Sequence, residues 1–325
     1  MKILWKQVRY RLEYFGCVAL AGLIPLLPRR SCVWLANVLG GLFYRLDRRS
    51  RAVALDNLRL TLGATHDDAA RVRIARASFS NFARAMLDLF WARNLTAANC
   101  TRYCRMEGVE GLHAARAQYG GIIFLSMHAG SHEWVALATG LAGVPSTMVA
   151  LPFKNDALDA VFRRAREHSG NTIISQKQSM LRMMRAVRRD GVGLLADLVL
   201  RLDQPGEVID TFGRKMHVTF LHALLHARTG KPIVFVTNVP HSDGTCTVTF
   251  HPPLTFPAGT DVHAITQGCW NFLEPLILAR PELWLWNYKH WRYRPRAAPP
   301  EDYPFYATWS TKFEGVLARG SRAAE

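Results

Sequence analysis

The stretch that decides the fold spans residues 121–134 and reads Gly-Ile-Ile-Phe-Leu-Ser-Met-His-Ala-Gly-Ser-His-Glu-Trp. Its apolar run, residues 122–127, is typical of a buried strand, because a strand covered on both faces needs apolar side chains at almost every position. The strand ends at His128. A short turn, in which Gly130 supplies backbone freedom, then leads to Glu133 at the start of a predicted helix.

Short apolar runs alternate with amphipathic stretches from residue 120 to residue 250. The predicted strands span residues 122–127, 147–151, 172–175, 192–196, 233–239 and 245–250, and the predicted helices span residues 134–141, 157–168, 179–189 and 220–228. This alternation predicts an α/β fold with a mostly parallel central sheet flanked by helices. The sequence contains no GxGxxG or Walker motif, which argues against a nucleotide-binding fold.

Candidate ligand-binding residues follow the predicted strands. In parallel sheets, ligands bind beyond the carboxyl ends of the strands. His128 and Asp197 each come directly after a strand, and so does the segment 151–155, which includes Lys154 and Asn155. We therefore expect three separate segments to converge on one rim of the sheet.

The chain is strongly basic, with 41 Lys and Arg against 25 Asp and Glu and a formal net charge of +16. Such an excess favours an acidic partner, namely nucleic acid, anionic lipid or an acidic protein. The six cysteines include no CxxC pair and no zinc-finger spacing. We interpret them as reduced thiols of a protein that faces the cytoplasm.

Residues 1–45 combine basic residues with two apolar runs, residues 14–27 and residues 32–44. The first run is shorter than the roughly 20 residues that span a bilayer, so it predicts a tilted short span or an interfacial helix. The alternative is a pair of ordinary core helices. We predict an N-terminal membrane-associated helical segment over residues 1–45, a catalytic domain over residues 46–295 and a partly ordered tail over residues 296–325.

His128 and Glu133 form a candidate acid–base pair. A neutral imidazole is a good general base near pH 7, since its ordinary pKa is about 6.5, and a carboxylate on its second nitrogen fixes the tautomer. The sequence has no G-x-S-x-G nucleophile motif, so direct transfer between two bound substrates is simpler than an acyl-enzyme. Two alternatives remain: a hydrogen-bonded core histidine, and a metal site of His128 and His132 with Glu133 or Asp197.

The His-x4-Glu pattern at a strand end resembles the signature of the glycerolipid acyltransferases, and the chain from about residue 27 to residue 295 resembles the lipid A late acyltransferases. The further motifs that carry this likeness are Leu27-Pro28, Gly41-Leu42-Phe43-Tyr44-Arg45, Asn57-Leu58, Trp134, Pro152-Phe153-Lys154-Asn155, Leu158-Asp159, Asp197, Phe212-Gly213-Arg214, Thr219, Ala227-Arg228-Thr229-Gly230-Lys231-Pro232, Glu274 and Pro281-Glu282-Leu283-Trp284-Leu285-Trp286 with Lys289 and Trp291.

The resemblance implies a membrane enzyme that moves a lauroyl or myristoyl chain from an acyl carrier protein or CoA thioester to a hydroxyl of a membrane glycolipid. It implies His128 as general base and Glu133 as its orienting partner. We expect the cytoplasmic face of a bacterial inner membrane with an anionic surface, and no cofactor, no metal and no nucleic acid. The candidate substrate-binding residues are Lys154, Asn155, Asp197, Phe212, Gly213, Arg214 and Thr219.

The chain departs from the family's pattern at places that would touch the acceptor head group. Leu151 replaces an Arg, Leu198 follows Asp197 where the family has a Gln, and the usual Gly-Asn after the His is here Gly130-Ser131-His132. Another glycolipid, an amino-acid lipid or a lipid-linked pigment therefore fits equally well as acceptor. A hydrolase or metal enzyme and a non-catalytic lipid- or nucleic-acid-binding relative are the competing classes.

Overall fold

The structure is a computed structural model and describes residues 2–150, 153–175 and 179–322. The described residues form a seven-stranded sheet with helices on both faces, and two further strands form a separate hairpin. The predicted α/β class with a mostly parallel central sheet is confirmed. The predicted strands and helices between residues 120 and 250 are present, with ends within three residues of the prediction; residues 151, 152 and 176–178 lie outside the described residues.

The strands are β1 (Cys104–Glu107), β2 (Ile122–Ser126), β3 (Ser146–Ala150), β4 (Thr172–Ser175), β5 (Gly191–Leu195), β6 (Glu207–Thr211), β7 (Arg214–Val218), β8 (Ile233–Pro240) and β9 (Cys246–Phe250). The helices are α1 (Lys2–Leu23), α2 (Arg29–Leu46), α3 (Arg48–Leu62), α4 (Asp68–Trp91), α5 (Cys100–Tyr103), α6 (Val109–Tyr119), α7 (His132–Leu141), α8 (Asp156–Arg166), α9 (Ser179–Ala186), α10 (Leu221–Thr229), α11 (Val262–Ala279) and α12 (Thr311–Arg322).

The large sheet has the strand order β1-β9-β8-β2-β5-β3-β4. Within the described ranges every pairing in it is parallel except that of β8 with β9. β2 lies in the middle, between β8 and β5, and all five of its residues are buried. Burial on both faces explains why its sequence is an unbroken apolar run rather than an alternating one.

β2 also divides the core into two halves, because successive side chains of a strand point to opposite faces. Ile123 and Leu125 pack with α11 and the tryptophan-rich segment that follows it. Ile122 and Phe124 pack on the other face, with α4 and α7. The even-numbered side chains of β2 therefore face α7, the helix that carries Glu133.

The N-terminal helices keep many apolar side chains exposed. Among the described residues, thirteen of seventeen exposed large apolar side chains lie between Trp5 and Leu46. α2 packs along α4 so closely that a Cβ at Gly40 would lie 2.4 Å from the Cα of Ser80. No described helix combines the length and apolarity needed to cross a membrane. The predicted membrane association of residues 1–45 is not confirmed and stays a prediction.

The hairpin of β6 and β7 has no signal in the sequence. Phe212 and Gly213 connect the two strands, and both have positive φ, 49° and 74°. Positive φ at both central positions is the geometry of a type I′ turn, which usually takes Asn, Asp or Gly. The Phe212 ring packs against Trp284 and Trp291 at centroid distances of 5.8 and 6.0 Å. This tertiary packing holds phenylalanine in a conformation that it rarely adopts alone.

The C-terminal residues pack on the rest of the chain. Phe313 and Val316 of α12 form a small core with Val208 of β6. The predicted boundaries after residues 45 and 295 stay a prediction.

Two neighbouring glycines of α2 test the packing of this helix on α4. The methyl group of Gly40→Ala would clash with the backbone of α4, so we expect this substitution to lower the free energy of unfolding by about 1–3 kcal/mol. Gly41→Ala is the matched control, since a Cβ there has nothing within 4 Å. Helix propensity alone should make Gly41→Ala neutral or slightly stabilising. Urea unfolding of both variants measures the difference, and equal stabilities would contradict the close approach.

Candidate active site

His128 and Asp197 meet because β2 and β5 are parallel and in register. Ser126 lies opposite Leu195, and the backbone N–H of Ala196 donates to the carbonyl oxygen of Ser126 at 2.9 Å. Two residues further along each chain, the register brings His128 opposite Asp197. The predicted convergence of these two residues on one rim of the sheet is therefore present in the structure.

Asp197 accepts three hydrogen bonds. Nδ1 of His128 lies 2.7 Å from Oδ1 of Asp197, and the backbone N–H of His128 donates to Oδ2 at 2.9 Å. The indole Nε1–H of Trp284 donates to the same Oδ2 at 2.9 Å. Asp197 is almost completely buried. Its carboxylate is thus fixed in position by one side chain, one backbone amide and one indole.

The two groups shift each other's pKa in the directions that favour an ion pair. Burial opposes the charge of both, but the Asp197 charge and hydrogen bond outweigh it and raise the pKa of His128. Burial likewise opposes ionisation of Asp197, and the His128 charge and hydrogen bond hold the pKa of that carboxyl far below its ordinary value. An ionised carboxylate accepts only, so in the neutral imidazole of His128 the proton is on Nδ1 and Nε2 is the acceptor.

Glu133 has a different partner from the predicted one. Its carboxylate accepts two hydrogen bonds from Arg166, from Nε at 3.0 Å and from Nη2 at 2.6 Å. Burial would raise the pKa of Glu133, yet the Arg166 hydrogen bonds and charge lower it. The expectation that Glu133 orients His128 is corrected, because the carboxylate hydrogen-bonded to His128 belongs to Asp197. α7 begins at His132, so Glu133 lies in its first turn and points to the end of α8.

His132 is neutral at physiological pH. Burial and then the neighbouring His128 charge lower the pKa of His132 to about 4. Its ring stands edge-on to that of His128, with 5.0 Å between centroids. Within the described residues no group of three or more His, Cys, Asp or Glu side chains is arranged to hold a metal ion.

Hydrogen bonds to buried polar side chains fix the loop between His128 and α7. Asn238 of β8 accepts from the backbone N–H of Ser131 at 2.7 Å and donates to the carbonyl of Ala129 at 2.9 Å. Gly130 has φ of 53°, and a Cβ there would lie 2.5 Å from Oδ1 of Asn238. The Ser131 hydroxyl donates to Asp88 of α4. Both the left-handed conformation and the close approach therefore require glycine at residue 130.

A mainly apolar cavity of about 400 Å³ opens beside His128. It runs between α7 and the sheet, with Glu133 and Arg166 in its wall. Gly193 of β5 lies in this wall and has no side chain to narrow the cavity. A Cβ at residue 193 would lie 3.0 Å from Cγ of Met148, which also lines the cavity. The apolar side chains that line it include Phe124, Val135, Ala136, Met148, Val149, Phe153, Ile173, Leu194, Leu195, Leu198, Leu200 and Leu221. A flexible hydrocarbon chain matches this size and lining.

The other candidate residues have varied surroundings. Thr219 lines the cavity, as expected for a substrate contact. Lys154 is exposed, whereas Asn155 is buried and donates to the Tyr10 carbonyl of α1 at 2.9 Å. Phe212 packs against Trp284, and Trp284 in turn donates a hydrogen bond to Asp197.

Gly213 completes the hairpin turn, and Arg214 ties three segments together. Arg214 donates to the carbonyl oxygens of Phe212, Leu60 and Asp302. Three backbone acceptors occupy its guanidinium group, so its surroundings fit a structural role better than the predicted phosphate or carbonyl contact.

Arg166 and Trp284 have site positions that the sequence analysis did not assign. Arg166 belongs to a run that includes Arg163 and Arg164, which is typical of a solvated helix face. Trp284 lies in the closing tryptophan motif, which carries the family resemblance but indicates no contact for this residue. In each case the partner, Glu133 or Asp197, is distant in the sequence, so no local pattern indicates the contact.

Comparison with known proteins gives one family. The model of the family described as bacterial lipid A biosynthesis acyltransferase matches residues 2–293. No curated protein sequence matches the chain significantly.

The Glu133–Arg166 pair yields a stability prediction. Arg166→Met leaves a buried carboxylate unpaired, and we expect it to lower the free energy of unfolding by about 3–5 kcal/mol at pH 7.5. Without Arg166 the pKa of Glu133 rises above its value in the unfolded chain. Protonation of Glu133 then removes the unpaired buried charge as the pH falls, and the variant is destabilised less. The wild type instead loses stability below about pH 4.3, because its Glu133 pKa is lowered. The difference in the free energy of unfolding between the wild type and Arg166→Met should therefore decrease as the pH falls.

Urea unfolding at pH 7.5 and pH 5 measures this difference. Arg201→Met is the control, because Arg201 pairs with Asp203 at 3.6 Å with both side chains largely exposed. Its effect should stay below about 1 kcal/mol at both pH values. An Arg166→Met protein as stable as the control variant would contradict the assigned role of the pair.

Proposed function

The chain belongs to the bacterial lipid A biosynthesis acyltransferase family, and on that premise we propose that it moves a fatty acyl chain from an acyl carrier protein thioester to a hydroxyl of a lipid A precursor. The observation that carries the proposal is the His128–Asp197 pair, with His128 in the wall of an apolar cavity. The cavity supplies a binding site for an acyl chain, and the pair supplies a base in its wall. A CoA thioester is the alternative donor.

The reaction follows from the protonation states of the pair. Nε2 of His128 takes the proton from the acceptor hydroxyl while the hydroxyl oxygen attacks the thioester carbonyl carbon. Asp197 stabilises the imidazolium that results. The tetrahedral intermediate then expels the thiolate, and the proton on Nε2 passes to the sulfur. The products are an ester on the acceptor and a free thiol on the donor, so protons and charges balance.

Glu133 and Arg166 act on this reaction as a positioning pair in our proposal. Both line the cavity, and their hydrogen bonds connect the first turn of α7 to the last turn of α8. The pair thereby fixes the wall against which the acyl chain rests. His132 stays neutral beside His128, so it adds no competing positive charge when the imidazolium forms.

We further propose that the protein works at the cytoplasmic face of a bacterial inner membrane. The exposed apolar side chains of α1 and α2 support this location, because soluble surfaces rarely expose so many large apolar groups together. Basic residues accompany them, including Lys6, Arg9 and Arg45. Apolar side chains with flanking cations fit an anionic lipid surface.

Substitution at the catalytic pair tests the reaction. We expect His128→Ala to reduce acyl transfer by about 10²- to 10⁴-fold, because the general base is lost. Asp197→Asn should also reduce transfer strongly, since the carboxylate that stabilises the imidazolium is removed. Asp210→Asn is the control, as Asp210 is an exposed carboxylate paired with Lys215. Mass spectrometry of the acceptor after incubation with an acyl thioester measures transfer. Full activity of a folded His128→Ala protein would sink the proposal.

The cavity gives a prediction for chain length. Gly193→Ala places a methyl group in the cavity wall, so the longest acyl chain that fits should become shorter. Each methylene that no longer fits should lower kcat/KM by about fourfold, the equivalent of about 0.8 kcal/mol. Assays with donors of graded chain length measure this shift. Gly111→Ala is the control, since nothing lies within 4 Å of a Cβ there. An unchanged preference in Gly193→Ala would show that the acyl chain binds elsewhere.

A further inference from the structure

The segment that follows Trp284 passes behind the catalytic pair and leads to a basic surface. Trp284 donates to Asp197, and the hydroxyl of Tyr288 donates to the carbonyl oxygen of Val199 at 3.3 Å. Asn57 of α3 donates to the carbonyl oxygens of Trp286 and Tyr288 at 2.8 and 2.9 Å. The segment is thus fixed both to the rim of the sheet and to α3.

Three cations meet where this segment and the start of α3 come together. The guanidinium of Arg292 lies over the Tyr288 ring, 5.0 Å from its centroid, and Nζ of Lys289 lies 5.2 Å from the Tyr306 centroid. Arg49 stands in the first turn of α3. Burial, then the positive charges of Arg49 and Arg292, lower the pKa of Lys289. Lys289 therefore lies within electrostatic range of both arginines, and Asn57, which bonds the Tyr288 carbonyl and the Tyr306 hydroxyl, holds the rings beneath Arg292 and Lys289 together.

Within the described ranges no carboxylate forms an ion pair with this cluster. Among the described residues, Arg49, Lys289 and Arg292 take part in none of the ion pairs, and the buried Nε of Arg292 has no hydrogen-bond partner. Asp47, two residues before Arg49, caps α3 by accepting from Ser50 at 2.9 and 2.7 Å, and its charge offsets part of that of Arg49. Lys289 and Arg292 have no such partner among the ion pairs, and positive charge without an ion-paired carboxylate is suited to an external anion.

Residues 198–200 contact both the acyl cavity and the segment that carries the cluster. Leu198 and Leu200 line that cavity, whereas the carbonyl of the intervening Val199 receives Tyr288, on which Arg292 stacks. An acyl chain in the cavity and an anion at the cluster would therefore both lie beside the segment that follows Asp197. The exposed Leu46 at the end of α2 is three residues from Arg49, so the cluster also borders the apolar N-terminal surface.

We propose that Arg49, Lys289 and Arg292 bind a phosphate group on the head group of the acceptor lipid. This proposal rests on the acyltransferase function stated above. Arginine presents a planar fork of donors that matches phosphate oxygens, and lysine adds a compact charge. The lipid's chains would rest on α1 and α2, its phosphate at the cluster and its reactive hydroxyl at Nε2 of His128.

The test compares a lipid A precursor that bears phosphate with the same lipid after phosphatase treatment. For the full-length wild-type protein we expect the KM for the phosphorylated acceptor to be about tenfold lower, the size of one or two charge-assisted hydrogen bonds. In the double variant Lys289→Gln, Arg292→Gln this preference should fall to about one, with kcat for the dephosphorylated acceptor unchanged. The double variant Arg182→Gln, Arg185→Gln, which removes exposed cations of α9, should keep the wild-type preference.

The failure of the phosphate site and the failure of the proposed acyltransferase function would give different results. If the wild type transfers acyl chains and both double variants prefer the phosphorylated lipid equally, the phosphate site is wrong and the acyltransferase proposal stands. If the wild type acylates neither lipid, the proposed function fails first. A rise in the KM for the acyl donor, with that for the acceptor unchanged, would assign the cluster to an acidic donor protein and overturn the proposal. Competitive inhibition by inorganic phosphate without any acceptor preference would reduce the site to a free-anion site and also overturn it.

Discussion

The hydrogen bond between His128 and Asp197 is the interaction on which the arrangement of the site depends. Both groups are largely buried, where a lone charge is unfavourable by several kcal/mol, so each depends on the other. The parallel register of β2 and β5 brings them together, and the indole of Trp284 completes the hydrogen bonding of the carboxylate. An imidazole with a fixed tautomer, whose Nε2 is not bonded to Asp197, follows from this arrangement. The apolar cavity beside it determines which molecule that nitrogen can act on.

The N-terminal helices are part of the support for this site rather than an attachment to it. Arg29, at the start of α2, pairs with Asp88 at 2.7 Å, and Asp88 accepts from the Ser131 hydroxyl in the His128 loop. The guanidinium of Arg29 lies 4.6 Å from the ring centroids of both Trp91 and Trp134. A buried ionic and aromatic cluster therefore connects α2, α4 and the loop. The exposed apolar surface of α2 and the loop after His128 are thus joined through one buried cluster.

The sequence predicts the sheet and the convergence of His128 and Asp197 for clear physical reasons. Apolar runs of strand length indicate β2 and β5, and the rule that parallel strands end at one edge brings His128 and Asp197 to one rim. The partner of His128 is where the prediction is wrong. Glu133 is close in the chain, but helical geometry in the first turn of α7 directs it to Arg166. Proximity in sequence therefore indicated Glu133 as the hydrogen-bond partner of His128, whereas the register between strands identifies Asp197. The role of Glu133 in the reaction stays a prediction.

The protonation equilibrium of His128 tests the central claim most directly. Nuclear magnetic resonance of protein labelled with ¹⁵N in histidine follows the ring nitrogens as the pH is changed. A His128 pKa above the ordinary value of about 6.5 is expected, with a lower pKa in Asp197→Asn, because Asp197 stabilises the imidazolium. A wild-type pKa below 6.5, or one that Asp197→Asn does not change, would contradict the assigned pair and the mechanism built on it.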